Sequence, residues 1–166
     1  MALNAYLRLK AQKQGDIAGS VTLKGREKQI MVIAVEHEVV SPRDPASGLP
    51  TGKRQHKPLV ITKELDRSSP LLYTALVTNE NISSFTLDFL APQSKAGAVG
   101  TEINAYTISL TNARIASIRT VMPNNKIPEL TKLATYEEVA FTYQKITWTW
   151  NDGAITASDD WESPVA

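Results

Sequence analysis

GLPTGK, at positions 48–53, is the first stretch that could do chemistry, because glycines leading into a lysine can cradle a phosphate. A phosphate loop needs four residues between its glycines, then Lys followed by Ser or Thr at the start of a helix. Here only Leu49, Pro50 and Thr51 intervene, Arg54 follows Lys53, and a β-rich run comes next, so the segment reads as turns in a surface loop. His37 and His56 stand at the two ends of the same region. Zinc would need two or more further ligands, and no His/Asp/Glu cluster offers them at a useful spacing. A catalytic triad would need a serine in a recognisable elbow, which is absent. His37 therefore reads as a strand residue and His56 as a solvated loop residue. The pair Asp159–Asp160 has the residue types for acid–base work but lies in a polar stretch, where solvation is the better reading. Asn81-Ile82-Ser83 matches a glycosylation sequon, which means little without a secretory signal. Trp148 and Trp150 alternate as one strand face does, which favours packing over ligand stacking. No catalytic constellation emerges, and neither an enzyme nor a cofactor is expected.

The composition narrows the field further. A chain of 166 residues is read as one domain, residues 1–166, and near this size roughly 68–70% of the unfolded surface is buried on folding. Apolar content of 42% and charged content of 21% are those of an ordinary globular protein. A net charge of +1 gives no reason to expect nucleic acid or an anionic membrane as partner. With no cysteine, disulfides, thiolate metal sites and cysteine nucleophiles are excluded. The opening MALNAYLRLKAQKQGDI is interrupted by Arg8, Lys10 and Lys13 and reads as a strand, with no signal peptide. No apolar run approaches the length that spans a bilayer.

The dominant period is two. In NAYLRLK, Ala5, Leu7 and Leu9 face one way and Tyr6, Arg8 and Lys10 the other. KQIMVIAVEHEVV is β-branched and nearly continuous, as for a strand covered on both faces. PLVITKEL, SSFTLDFLAP, INAYTISLTNARIASIRTV and EEVAFTYQKITWTW read as further strands, which together predict a mainly β fold, a sandwich or barrel. One helix is predicted in DRSSPLLYTALVTNEN. Ser69 is its candidate N-cap, Pro70 its first residue, Leu71, Leu72, Ala75 and Leu76 its apolar stripe, and Asn79 or Asn81 its end. It is expected to plug or cover one opening of the barrel. NKIPELTKLATYEE is ambiguous and is left irregular.

The eighteen residues Ser41–Pro58 between two apolar runs carry four prolines, two glycines and four basic side chains. Connections beyond about 12–15 residues without their own structure are uncommon and are usually functional or disordered. Arg43, Lys53, Arg54 and Lys57 against Asp44 give the loop a formal +3, whereas Asp152, Asp159, Asp160 and Glu162 give the stretch Asn151–Ala166 a formal −4. Two solvated surfaces would explain this. So would a contact between copies, since a head-to-tail interface needs unlike patches.

Over nearly its whole length the sequence resembles the haemolysin-coregulated protein family, the tube proteins of bacterial type VI secretion. The likeness is carried by MALNAYLRLK, SPRDPASGLPTGKRQHKP, ITKELDRSSPLLYTAL and YEEVAFTYQKITWTWNDGAITASDDWE. It implies a β-barrel of two sheets with one short helix packed at the side and a long extended loop. It also implies homohexameric rings stacked into a tube, with a contractile sheath, a spike protein and effector proteins in the lumen as partners. Assembly in the bacterial cytoplasm followed by secretion or delivery to target cells is expected. In such proteins an extended loop reaches the next ring, and residues 41–58 occupy its place, with Arg43, Asp44, Lys53, Arg54, His56 and Lys57 as expected inter-ring contacts. Asp159, Asp160 and Glu162 are, on charge alone, the candidate acidic counter-patch. Two alternatives remain: a phage-type tail tube subunit, or a monomeric small-molecule-binding β-barrel.

Overall fold

The computed structural model describes residues 1–93 and 101–162; the end of the acidic stretch, residues 163–166, lies outside them. In chain order the strands are β1 (Ala5–Ala11), β2 (Gly15–Ile17), β3 (Ile30–Val32), β4 (Ala34–Glu36), β5 (Val39–Val40), β6 (Gln55–His56) and β7 (Leu59–Glu64). After helix α1 (Ser69–Val77) come β8 (Ile82–Pro92), β9 (Glu102–Thr111), β10 (Arg114–Val121), β11 (Tyr136–Thr142), β12 (Lys145–Trp150) and β13 (Ile155–Asp160). One sheet runs β13-β12-β9-β8-β1-β2, with β3 also paired to β1; the other runs β10-β11-β7-β4. The expected mainly β, two-sheet fold with one helix is what forms. The sheets are joined at corners and, among the described residues, do not close into a single hydrogen-bonded cylinder.

Three corners split runs that the sequence presents as single strands. KQIMVIAVEHEVV passes from one sheet to the other at Ile33, and its last part forms β5 in a separate ribbon. INAYTISLTNARIASIRTV breaks at Asn112, whose φ of 52° lies in the left-handed region. EEVAFTYQKITWTW breaks at Tyr143–Gln144. At each corner the inward phase slips by one residue, from Val32 to Val35, from Leu110 to Ala113 and from Tyr143 to Ile146, so that the chain keeps its apolar side toward the shared interior as it changes sheet. Leu7, Leu9, Phe85 and Leu87 from one sheet meet Leu59, Ile61, Val139 and Phe141 from the other. The Phe85 and Phe141 rings stand edge to face at 5.0 Å. Tyr6, expected on the outer face, is buried, with the Arg26 guanidinium 5.3 Å from its ring centroid.

The helix starts one residue earlier than its sequence suggests. Ser68 is the N-cap, although no side chain caps the helix, and Pro70 is the second helical residue. Ser69 is drawn away from capping because its hydroxyl donates to Glu137 Oε1 at 2.8 Å, inside a buried polar cluster. There the Lys63 ammonium meets Glu137 Oε1 at 2.6 Å and Asp66 Oδ1 at 3.0 Å, with Lys63 and Glu137 fully buried. This cluster ties the segment TKELDRSS to β11 and sets where α1 begins. Leu72 and Ala75 enter the core, and Asn79, with φ 51°, ends the helix in the left-handed conformation. The ambiguous segment holds a single 3-10 turn, Pro128–Leu130.

Candidate functional site

The long loop is a built arm. Its two ends pair as a ribbon, Val39 with His56 and Val40 with Gln55, and Arg43 bridges Pro50 further out. The Asp44 amide donates to Leu49 O at 2.9 Å, Gly48 to Asp44 O at 2.8 Å, and Thr51 to Pro42 O at 3.0 Å. The Asp44 carboxylate accepts from the Ser47 hydroxyl at 2.6 Å and the Ser47 amide at 3.1 Å; these bonds hold it below the usual carboxylate range. Gly48 takes φ 71°, which a glycine adopts without strain. GLPTGK is thus the returning side of a hairpin tip, and opens no helix.

Beneath the arm lies a network that joins residues more than eighty positions apart. Tyr143, at the corner between β11 and β12, places its hydroxyl 2.6 Å from His37 Nε2 and 2.8 Å from His56 Nδ1. His56 Nε2 lies 2.6 Å from Asp159 Oδ2. Arg54 grips the same carboxylate with both prongs, Nε to Oδ2 at 2.5 Å and Nη2 to Oδ1 at 2.7 Å, and also donates to Asp160 O at 3.0 Å. The Trp161 indole N–H donates to Tyr143 O, closing the end of β13 over the corner.

One set of tautomers carries a continuous run of hydrogen bonds through these groups. His37 Nε2–H donates to the phenol, the phenol to His56 Nδ1, and His56 Nε2–H to the Asp159 carboxylate. Burial, aided by the Asp159 charge, pushes the Tyr143 phenol up to about 12, so it relays a hydrogen bond and does not ionise near neutrality. Desolvation, then the proximity of His56, lowers His37. The bond from Arg54 holds Asp159 below its ordinary range. Among the described residues no group of three or more His, Cys, Asp or Glu is placed to hold a metal. The arrangement anchors a loop.

Several sequence-based expectations change here. His56 is not solvated: its side chain is 6% exposed and sits in β6. His37 lies between β4 and β5 and in neither strand. Asp159 is engaged by Arg54 and His56 of its own chain, so the pairing expected between copies is made within one. Arg54 and His56 therefore belong to the root of the arm. Asp160 accepts from Gln144 Nε2 at 3.2 Å and from the Glu162 amide at 3.0 Å, and Glu162 is exposed. Of the remaining arm residues, Arg43 donates to Gly48 O at 3.3 Å and Lys57 pairs with Glu38 at 3.2 Å. Lys53 is exposed, with no ion pair among the described residues. Tyr143 was missed from the sequence. Its only signal there is a polar tip in phase with Val139 and Phe141.

Comparison with known proteins gives a consistent result. The family model described as "Type VI secretion system effector, Hcp" matches residues 6–150. The "Major exported protein" of Pseudomonas aeruginosa is 41% identical, over 100% of this chain and 99% of its own length. A solved structure of the Hcp1 protein from E. coli EAEC 042 superposes with a TM-score of 0.83 at 36% identity, covering 96% of this chain and 99% of that one. The secreted protein Hcp3 from Pseudomonas aeruginosa gives 0.75 at 32%, covering 96% and 99%.

Proposed function

The chain belongs to the Hcp family, the secreted tube proteins of type VI secretion, and from that premise we propose that six copies close into a ring and that rings stack through the arm within residues 41–58. The carrying observation is the arm itself: a hydrogen-bonded hairpin whose root is fixed by Arg54, His56 and Tyr143 while its tip is exposed. A tip held in one conformation before contact loses less entropy on docking than a free loop would. Its exposed cations Arg43, Lys53 and Lys57 steer it toward an acidic surface, with Asp44 holding the turn.

Ring closure draws on the open sheet edges. β10 and β13 each end a sheet, and Ile155 on β13 is 68% exposed. Edges left open in one copy are covered by the next when a fixed rotation closes the ring. The sixfold number comes from the family. On this reading the protein works by geometry and not by catalysis. A sheath surrounds the tube, a spike caps it, effectors occupy its lumen, and the machine exports it. The interior of the single subunit is filled by the apolar core, which gives a small-molecule-binding barrel no support.

Mass measurement across a concentration series, with particle images, tests this. A six-copy particle with a central opening is expected. A lone copy persisting at high concentration overturns the proposal.

A further inference from the structure

At the opposite end of β7 from the arm root lies a groove of mixed lining, in which Tyr6, Val21, Leu23, Met31 and Leu65 stand among polar side chains that include Glu64. The arm returns into Leu59, the first residue of β7, whereas the groove begins at Glu64, its last. Six residues of strand, roughly 20 Å at ~3.3 Å each, separate the two. Leu23 and Leu65 are 51% and 47% exposed, and the arm tip carries a third exposed leucine, Leu49, at 65%. Solvated leucines on two mobile or featureless surfaces would need no explanation. Here one is the apex of a built hairpin and the other two share a concave surface.

We infer that the groove is the receptor for the arm tip of a second copy of this chain, with Leu49 inserted between Leu23 and Leu65. This rests on the ring-stacking reading and names the surface that reading leaves open. Charge supports the pairing. Arg43, which donates to Gly48 O at 3.3 Å, lies over the tip, and Lys53 follows on the returning side. Across the contact, the groove is lined by two carboxylates, the exposed Glu64 and Asp66, which is paired with the buried Lys63. A basic, leucine-tipped arm thus meets an acidic-rimmed groove. Because the two patches differ and sit at opposite ends of one strand, the contact is head-to-tail and leaves one free tip and one free groove at the ends of any open stack. Repetition produces a rod of stacked rings. Burying one leucine side chain contributes about 1.5–3 kcal/mol, which is on the order of tenfold to a hundredfold in the affinity of each contact.

The natural absence of cysteine makes the test clean. Leu49→Cys is combined with Leu65→Cys, and separately with Leu23→Cys, and the protein is oxidised mildly and run on a denaturing gel without reductant. A disulfide forms only where Cα atoms approach within about 7 Å. The inference expects a ladder of two, three, four and more covalently joined copies with at least one pair, abolished in each single variant except for dimers. Lack of a ladder with both pairs, whether the rings stack or stay single, overturns the groove assignment. So does a product confined to dimers that Leu49→Cys alone also gives, which would mean tip meets tip. Rings present under the microscope in those samples leave the tube reading standing; a wild-type chain that forms no ring removes the tube reading and this inference with it.

Discussion

Tyr143 offers one oxygen to two imidazoles, and that oxygen accepts freely but donates once. Protonating His37 would place a charge in this partly buried corner, where desolvation opposes it. Beside them Arg54 grips the Asp159 carboxylate and reaches the Asp160 backbone oxygen. His37 is held below its ordinary value of 6.5 by burial and by His56. The released arm therefore takes up a proton as pH falls through about 6.5, which the docked arm resists, so docking weakens on acidification and stops weakening once the docked value is passed. Asp159, lowered chiefly by its bond from Arg54, acts in a second window: its support is complete above the ordinary carboxylate value, about 3.9, and is lost as pH falls through the lowered one. The protection of residues 41–54, taken as exchange relative to the intrinsic rate at the same pH, should fall between about pH 7.5 and 5.5, a window in which His is the side chain that normally titrates. Tyr143→Phe should already show fast exchange at neutral pH, on the order of tenfold, because it strands buried imidazole nitrogens at a cost of about 1–3 kcal/mol. An arm equally protected at both pH values in the wild type would refute the part given to His37. Little of this was visible in the sequence, where Tyr143 stands 106 positions from His37 and 87 from His56.

Among the elements, the pairing of β7 with β11 shows what a period-two reading contains and what it overlooks. Leu59, Ile61 and Lys63 share the inward face of β7, and Glu137, Val139 and Phe141 that of β11, with Lys63 directly opposite Glu137 in the register. The phase was readable from the sequence and put a cation and a carboxylate in the core; their partnership required the pairing. Removing one side of a buried pair costs about 3–5 kcal/mol, whereas replacing both by apolar groups is often neutral. Glu137→Leu should therefore lose roughly 3 kcal/mol in urea denaturation, at the low end because Asp66 still faces the ammonium at 3.0 Å. Lys63→Met added to it should recover most of the loss, and no recovery would mean that the pair does more than satisfy itself. The strands β1, β7 and β8 and the helix were legible from alternation, Pro70 and the apolar stripe. The corners at Ile33, Asn112 and Tyr143 leave only a one-residue slip in the apolar phase, Val32 to Val35, Leu110 to Ala113 and Tyr143 to Ile146, and a slip alone does not say whether a strand bulges within one sheet or passes to another. Ser69 was misplaced as the cap since nothing local announces a carboxylate arriving from β11.

At the scale of the molecule, the subunit is polar along β7, with the arm root at one end and the groove at the other, and the contact proposed between them would repeat copies along that direction into a rod. The basic loop and acidic stretch were legible as unlike charges, but charge alone left open whether they meet between copies or within one. The bidentate grip of Arg54 on Asp159 divides the arm into a root, satisfied inside the chain, and a tip that remains available. Lys53→Glu changes only the tip: stacking should weaken, most at low salt where exposed charges are least screened, while ring formation and arm protection stay as in the wild type. Arg54→Glu sets a carboxylate against Asp159, so the arm should lose protection and stacking should fail at any salt. Pairing it with Asp159→Arg in the same chain rebuilds the ion pair in reverse and should restore arm protection. Mixing the two single variants should not, because each chain would still hold like charges at its own root. Rescue by mixing, as strong as rescue within one chain, would move the Arg54–Asp159 contact to the boundary between copies and dissolve the division between root and tip.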